Sequence, residues 1–306
     1  MKLCQFRGAD GSRRVGLVDG ATVVDITARR EGVASVLDLV LRGRTAAGIE
    51  RLARRLGQAA RRTRHPWGAL DRAPGARRPG LLPPIDPPEV WGAGITYRRS
   101  AEYYTEHETG HTGRVEGIYD HVYRSERPEL FFKATAARCA GPHATLGLRG
   151  DSTLTAVEAE LAVVVGVGGR IVGYTVGNDL SAWDIERENA LFLPQSKVFQ
   201  GSFAFGPVIA TPATVPDPHA LTIQCVIERD GGTLYEGQAS TADLRRPCAE
   251  LVTWLTRYNP VPPGTILSTG TGILVPDEHA LRPGDVVTIT IDPIGTLRNP
   301  VRRLPA

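Results

Sequence analysis

The sequence has few cysteines, and none of them is spaced like a metal ligand. Its 306 residues include four, which lie far apart along the chain at Cys4, Cys139, Cys225 and Cys248. This spacing argues against a structural zinc site and against the disulfide framework of a small secreted domain. We therefore expect reduced cysteines, buried as small apolar side chains, in a cytoplasmic protein.

Long apolar runs and a strong charge imbalance are also missing. No stretch reaches the roughly 20 apolar residues of a transmembrane helix, and residues 1–14 lack the apolar region of a signal peptide. The net charge of +3 is too small to indicate a polyanionic partner. Arginines recur along residues 48–65, but no aromatic residues interleave with them, so a solvated helix face is the better interpretation. We expect neither a membrane nor a nucleic-acid partner.

The first part of the chain has the pattern of a small α/β unit. Residues 14–27 contain two apolar runs around an Asp-Gly turn, which is typical of a β-hairpin. Residues 33–44 and 48–65 have the spacing of amphipathic helices. Residues 72–89 are rich in proline and glycine and are interpreted as a linker.

Placing a boundary in this linker predicts a small N-terminal α/β domain over residues 1–78 and a second domain over residues 79–306. The second part consists mostly of short apolar runs separated by turn residues, which predict strands. Residues 241–258 form its one helical pattern. The sequence GVGGR (166–170) lacks the last glycine of a dinucleotide fingerprint and leads into a strand, so we interpret it as a hairpin turn.

Two sequence signatures of hydrolases do not indicate an active site here. The sequence HETGH, from His107 to His111, matches the zinc-protease pattern, which needs both histidines on one face of a helix. Gly110 and the glycines that follow disfavour a helix there, so a polar loop and a coincidental match fit better. No serine lies in the G-x-S-x-G turn of an α/β-hydrolase.

Three carboxylates form the strongest signal for a site. Glu158 and Glu160 are two residues apart in the apolar run TAVEAELAVVVG (155–166), and side chains two apart on a strand share a face. Asp179 ends the next apolar run and is expected beside them. Three converging carboxylates favour Mg²⁺ or Mn²⁺, and a cation would relieve their repulsion. The alternative is an exposed edge strand with solvated glutamates.

A resemblance to a known family rests on motifs in a fixed order: EAELAVVV, GYTVGNDLSAWD, QSKVFQGSFAFGPVI and LSTGTGI. They resemble the fumarylacetoacetate hydrolase superfamily, with its E-x-E, N-D-x-S, lysine and G-P. Residues 126–135, 189–199, 203–209 and 294–301 look more closely like the 2-keto-3-deoxy-D-arabinonate dehydratase branch, and the resemblance covers about residues 90–304. It implies an α+β, mainly β fold, a mixed β-sandwich roll after a small N-terminal α/β domain. It also implies a homodimer or homotetramer.

Carried over by position, the resemblance implies a metal and its catalytic partners. Glu158, Glu160 and Asp179 become the ligands of Mg²⁺ or Mn²⁺. Lys197 becomes a cation beside the substrate's 2-oxo acid, where it stabilises the charge that develops on the oxo oxygen. Glu129 matches the acid/base carboxylate of the dehydratases.

Further residues are implied as substrate contacts. Lys133 is close in sequence to the acid/base carboxylate, and Thr271 matches a residue that touches the substrate carboxylate. Tyr97 and Gly270 are additional candidates, the latter because glycine allows close backbone approach. Trp183 departs from the superfamily motif, which usually has arginine there, and this substitution leaves the local ion pairing open.

The activity implied is Mg²⁺-dependent dehydration of a 2-keto-3-deoxy sugar acid, from a 2-keto-3-deoxypentonate to 2,5-dioxopentanoate through an enolate that the metal stabilises. The alternatives are a C–C hydrolase of acylpyruvate or fumarylacetoacetate type, a 2-oxo-acid decarboxylase, a tailoring enzyme for a larger 2-oxo acid or β-dicarbonyl compound, and a metal-binding homologue without activity.

The region expected to form a lid favours dehydration over hydrolysis. Hydrolases and decarboxylases of the superfamily commonly carry N-Y-x-x-H-x-x-E there, with a His-Glu pair that orients water. The matching positions are Thr96, Ser100 and Tyr103, and Glu102 lies one residue out of register. Without that histidine the lid has no ready base to activate water.

Overall fold

The structure is a computed structural model that describes residues 1–59, 63–106 and 117–305. The strands are β1 Lys2–Arg7, β2 Arg13–Asp19, β3 Thr22–Asp25, β4 Arg64–Pro66, β5 Gly80–Leu82, β6 Val90–Gly94, β7 Glu129–Ala134, β8 Cys139–Ala140, β9 Leu146–Leu148, β10 Thr155–Ala156, β11 Ala159–Val165, β12 Ile171–Asp179, β13 Ser181–Ala182, β14 Phe203–Ala210, β15 Thr222–Arg229, β16 Gly232–Ser240, β17 Thr265–Ser268, β18 Val286–Ile291 and β19 Gly295–Arg303. The α-helices are α1 Val36–Gly43, α2 Ala46–Gly57, α3 Trp67–Leu70, α4 Arg98–Glu106, α5 Ile118–Arg124, α6 Trp183–Glu188, α7 Leu193–Lys197 and α8 Cys248–Thr256.

Two mixed sheets carry most of the described residues. A 12-stranded sheet has the order β4-β3-β2-β1-β14-β12-β11-β17-β6-β7, with β5 and β8 added beside β1 and β14. A five-stranded sheet has the order β16-β15-β18-β19-β9. Apolar side chains of β11 and β12 share one buried cluster with those of β15 and β18, so the two sheets pack against each other. The predicted α+β, mainly β class is confirmed.

The N-terminal part follows the predicted order of elements with one correction. The hairpin of β2 and β3 pairs Asp19 with Thr22, as the Asp-Gly turn predicts. The predicted helix over residues 48–65 is wrong at its end, because α2 stops at Gly57 and residues 64–66 form β4 on the edge of the hairpin. The last buried residue of α2 is Leu56, one position before the helix ends, so the buried apolar face of the helix stops there.

The N-terminal strands are continuous with the large sheet. Strand β1 pairs with β14, with Lys2 opposite Ala210. Strand β5, inside the proline-rich stretch of the predicted linker, pairs with β1. The division into domains 1–78 and 79–306 stays a prediction.

The second part contains the predicted strands, but the expectation of a single helix is wrong, because α4 to α7 also lie in it. The predicted helix itself is shorter than expected. Helix α8 begins after Pro247 rather than at residue 241, because proline at the helix start supplies no amide hydrogen bond to a preceding turn. The GVGGR segment joins β11 to β12 as an antiparallel hairpin, as predicted. No helix in the described part of the chain has the length and hydropathy needed to cross a bilayer.

The register of three adjacent strands brings the acidic residues together. Strand β11 lies between β12 and β17, and Ala159 of β11 is opposite Asn178 of β12. Glu158, the residue before β11, therefore lies opposite Asp179, and its carbonyl accepts the Asp179 amide proton at 3.0 Å. Opposite residues of an antiparallel pair share a face, as do residues two apart, so Glu160 joins them.

Candidate active site

Three buried carboxylates form the centre of the candidate site. One carboxylate oxygen each from Glu158, Glu160 and Asp179 lies within 4.8 Å of the others. All three side chains are buried, with the residues exposed by 5%, 1% and 1%. The alternative of an edge strand with solvated glutamates is therefore wrong, because β11 is an interior strand of the large sheet.

Glu160 is held by donors from β17 and the turn after it. Its Oε2 accepts hydrogen bonds from the Ser268 hydroxyl at 2.5 Å and from the Gly270 amide at 2.7 Å. Burial nevertheless raises the pKa of Glu160 well above its ordinary value, and the charges of Asp179 and Glu158 raise it further. These two donors fix the carboxylate, but they do not remove the repulsion between the acids.

Lys197, at the end of α7, is the main cation beside this group. Its Nζ donates to both oxygens of Glu158, at 3.0 and 2.9 Å, and to the Ser181 hydroxyl at 2.6 Å. The Asp179 carboxylate lies 3.9 Å away. Burial lowers the pKa of Lys197, but Asp179, Glu158 and Glu186 together raise it well above its usual value, so the ammonium stays charged.

Glu158 has a second donor, from the position where the superfamily motif usually has arginine. The indole Nε1 of Trp183 donates to Glu158 Oε1 at 2.9 Å. The Trp183 ring is fully buried and lies 5.7 Å from the ring of Tyr103 on α4. Trp183, at the position of the usual arginine, thus keeps a hydrogen-bond donor on the carboxylate and connects it to the lid helix.

Lys133 forms an ion pair with Asp179, the third carboxylate of the group. Its Nζ lies 2.6 Å from Asp179 Oδ1 and donates to the Leu180 carbonyl at 2.7 Å, and the side chain is fully buried. Burial lowers the pKa of Lys133, and the Asp179 charge opposes that shift. Lys133 is not among the residues that line the cleft. Its role as a substrate contact stays a prediction.

Glu129 enters the same cleft from β7. Glu129 is opposite Gly94 of β6. Its carboxylate lies against this glycine, and a methyl side chain at position 94 would come within 2.1 Å of Glu129 Oε2. Burial raises the pKa of Glu129 to about 7, with a further contribution from the charge of Glu186. A carboxyl with this pKa carries a proton for much of the time near neutral pH and can act as an acid.

Glu186 on α6 is a cleft residue that the sequence analysis did not select. Its side chain is buried, its Oε2 accepts from the Ser196 hydroxyl at 3.2 Å, and it lies 4.0 Å from Lys197 Nζ. One sequence feature could have pointed to it: Glu186 lies seven residues after Asp179, in the segment that directly follows the N-D-x-S motif. A single glutamate in the polar stretch WDIERE looks like a solvated helix residue, however.

The remaining predicted substrate contacts fall into two groups. Gly270 and Thr271 line the cleft, although the Thr271 hydroxyl already donates to the Ala159 carbonyl at 3.0 Å. Tyr97 lies elsewhere: its ring packs against Gly272, and it lines a separate depression beside α4. Contacts of these residues with a substrate stay predictions.

Two residues of the predicted lid, Thr96 and Ser100, are hydrogen-bonded to the turn after β17. The Thr96 hydroxyl donates to the Thr269 carbonyl at 2.6 Å, and the buried Ser100 hydroxyl donates to the Thr271 carbonyl. Within the described residues no histidine lines the cleft. The HETGH segment, His107 to His111, lies outside the described residues.

The three carboxylates fit a hard divalent cation. They provide only oxygen ligands, all buried on one face of the sheet. Burial, followed by the charges of Asp179 and Glu158, raises the pKa of Glu160 well above its ordinary value. Mg²⁺ and Mn²⁺ prefer such ligands, and their charge would offset the repulsion.

We expect Glu160→Gln to weaken Mg²⁺ binding at least tenfold, which corresponds to about 1.4 kcal/mol. The amide loses the negative charge and places an NH₂ group or a neutral oxygen where the cation binds. Isothermal titration calorimetry of Mg²⁺ into both proteins measures this. Glu236→Gln, at an exposed position of β16, is the matched control and should bind like wild type. Equal affinity of the Glu160 variant and wild type would contradict the assignment.

Fold and site together define the class of this protein: the chain belongs to the fumarylacetoacetate hydrolase family. Residues 89–302 match the family domain described as fumarylacetoacetate (FAA) hydrolase C-terminal. The match spans β6 to β19 and includes the residues of the cleft.

The proteins to which this chain is similar include sugar-acid dehydratases. The chain is 47% identical over 224 residues to the 2-dehydro-3-deoxy-D-arabinonate dehydratase of Saccharolobus solfataricus, covering 73% of this chain and 74% of that protein. It is 44% identical over 218 residues to a probable 2-keto-3-deoxyxylonate dehydratase of Haloferax volcanii, covering 71% and 73%. A solved 2-keto-3-deoxy-D-arabinonate dehydratase, complexed with magnesium and 2,5-dioxopentanoate, matches with a TM-score of 0.83 and 35% identity over 100% of both chains.

Proposed function

We propose that this protein is a hydro-lyase that dehydrates a 2-keto-3-deoxy sugar acid, converting a 2-keto-3-deoxypentonate to 2,5-dioxopentanoate with Mg²⁺ or Mn²⁺ as cofactor. The observation that carries the proposal is the position of Glu129. This carboxyl lines the same cleft as the three acids and Lys197, and burial raises its pKa to about 7. The likeness to named dehydratases over most of the chain supports the same reaction.

Each group in the cleft has a part in this chemistry. Mg²⁺, when held by Glu158, Glu160 and Asp179, supplies Lewis acidity to the oxygens of a 2-oxo acid. Lys197 places a fixed positive charge where the oxo oxygen becomes negative as a C3 proton leaves. Its bonds to Glu158 and Ser181 hold the ammonium in place before the substrate arrives.

Glu129 supplies the proton that the leaving group needs. Loss of the C4 hydroxyl as hydroxide is unfavourable, so an acid must protonate that oxygen as the C–O bond breaks. The Glu129 carboxylate packs directly against Gly94, and this close contact restricts the orientation of the carboxylate. Burial by the surrounding side chains keeps bulk water from competing for the proton.

The arrangement of the lid speaks against a C–C hydrolase. Hydrolysis of an acylpyruvate needs a base that activates water, and the lid position of the histidine is Ser100, whose hydroxyl is bonded to the Thr271 carbonyl. Dehydration needs no nucleophilic water. The described part of the cleft therefore has the groups for elimination and lacks a histidine for hydrolysis.

Product analysis on two substrate classes tests the proposal. The protein with Mg²⁺ is given a 2-keto-3-deoxypentonate and, in parallel, an acylpyruvate. We expect dehydration at least about a hundredfold faster than cleavage, a difference of ~2.7 kcal/mol in activation free energy. Chelation of the metal with EDTA should stop the reaction, and added Mg²⁺ should restore it. Faster cleavage of the acylpyruvate would overturn the proposed function.

Assembly and location are further parts of the proposal. A homodimer or homotetramer in the cytoplasm is supported by the superfamily resemblance and by four cysteines that form no disulfide, three of them buried. Light scattering coupled to size-exclusion chromatography measures the mass of the assembly directly.

A further inference from the structure

Glu186 is a buried acid in the cleft for which the proposed chemistry has no role so far. It lines the same cleft as Glu129 and Lys197. Its hydrogen-bond partner is the Ser196 hydroxyl at 3.2 Å, a neutral donor. Burying a carboxylate with so few donors costs free energy, and burial indeed raises its pKa. Such a group, oriented but incompletely bonded, is suited to exchanging a proton.

The position of Glu186 differs from that of Glu129 relative to Lys197. Glu186 Oε2 lies 4.0 Å from Lys197 Nζ. Among the ion pairs of the described residues, Lys197 is joined to Glu158, Asp179 and Glu186 and has no pair with Glu129. A substrate whose 2-oxo oxygen lies at Lys197 therefore brings C2 and its neighbour C3 close to Glu186.

The reaction itself needs more proton transfers than one group serves easily. Elimination takes a proton from C3 and gives one to the C4 hydroxyl, which leaves as water while a C3–C4 double bond forms. The resulting 5-hydroxy-2-oxo-3-enoic acid becomes 2,5-dioxopentanoate only when one C5 proton and the proton of the C5 hydroxyl are lost and one proton each returns to C3 and C4. No oxidant is required, since these later steps are isomerisations. Two carboxyl groups at different points along the chain divide this work.

We propose that Glu186 is the catalytic base that removes the C3 proton, and that Glu129 is the acid that protonates the C4 hydroxyl. The C3–H electrons become the enolate and then the C3–C4 bond, and the C4–O electrons leave with the hydroxyl, to which Glu129 adds its proton. The proposal rests on the proposed dehydration. Ser196 holds the Glu186 carboxylate in place.

Exchange of deuterium into 2-oxobutyrate tests the base alone. This 2-oxo acid has C3 protons but no C4 hydroxyl, so only proton removal at C3 is measured, by NMR in D₂O with Mg²⁺. We expect wild type to catalyse exchange and Glu186→Gln to lose it by a factor of about 10²–10⁴. Glu129→Gln should retain exchange although it loses dehydration. Glu188→Gln, exposed on the same helix, is the matched control.

A second variant separates proton transfer from support of Lys197. Glu186→Ala removes a fragment of the size of acetate, so added acetate should restore exchange, whereas sodium chloride at equal concentration should not. Mg²⁺ binding by calorimetry and the melting temperature should stay close to wild type in both Glu186 variants. Wild-type exchange rates in Glu186→Gln, or loss that acetate fails to restore, would overturn the proposal. Exchange without any sugar-acid dehydration by wild type would instead refute the proposed function and leave the role of Glu186 standing.

Discussion

Lys197→Ala is expected to reduce the turnover number by a factor of about 10²–10³, the usual cost of losing one fixed group that stabilises developing charge. The ammonium is buried beside Glu158 and Ser181 before any substrate binds, so its orientation costs nothing at the moment of reaction. The lost interaction acts on the enolate-like transition state more than on the bound substrate. We therefore expect kcat to fall far more than KM rises.

The control for this variant is unusually direct, because lysine occurs only at positions 2, 133 and 197 of the chain. Lys2→Ala, in β1 and outside the cleft, should keep wild-type kinetics. Lys197→Ala should fold when Mg²⁺ is present, since the cation then balances the acids that the ammonium served, and thermal unfolding checks this. A folded variant with near wild-type kcat would contradict the role of Lys197.

Glu129→Gln is expected to lower dehydration by a factor of about 10²–10⁴, the range for removing a general acid. The amide keeps the size of the side chain but has no acidic proton for the C4 hydroxyl. Steady-state kinetics on the 2-keto-3-deoxypentonate measures the loss. Glu126→Gln, exposed in the turn before β7, is the matched control and should behave like wild type. Wild-type turnover in Glu129→Gln would show that another group protonates the leaving oxygen.

The pH profile gives this assignment a second test. The working form of Glu129 is protonated, and burial raises its pKa from 4.5 to about 7. Activity should therefore fall as the pH rises through about 7, because Glu129 then loses the proton that it donates. The charges of Glu186, Glu158 and Asp179 help to raise this pKa, while Lys197 lowers it. In Glu129→Gln the residual rate should no longer show the fall near pH 7.

Much of the fold was predictable because its local signals agree with its packing. The apolar run before GVGGR and the run after it pair as β11 and β12, and the alternation rule then places Glu158 and Glu160 on one face. The end of α2 at Gly57 was not predictable in the same way. Polar arginines continue a helical spacing without any apolar side chain to bury, and pattern alone does not say where such a helix stops.

The cluster of three carboxylates could be predicted because its members lie on two neighbouring strands or directly beside them. Its partners come from distant parts of the chain, and no spacing rule joins them. Lys133 reaches Asp179 from 46 positions away, and Ser268 reaches Glu160 from 108 positions away. Glu186 looks like an ordinary surface acid in its helix until the packing of α6 against α7 turns it inward.

One weak signal for the buried cations was nevertheless present. In a chain whose basic residues are almost all arginine, lysine at only three positions is itself informative. A compact ammonium fits between closely spaced carboxylates, where the planar guanidinium of arginine needs more room. Two of the three lysines are the ones buried beside the acids.

The indole of Trp183 has a consequence for how the charge of Glu158 is balanced. It keeps a donor on Glu158 but brings no positive charge, whereas the superfamily motif usually has a guanidinium at this position. The negative charge of this buried carboxylate is therefore balanced by Lys197, which donates to both of its oxygens, and not by residue 183. Loss of the Lys197 ammonium would leave Glu158 with only a neutral donor from residue 183, which makes the electrostatics of this carboxylate depend strongly on that one lysine.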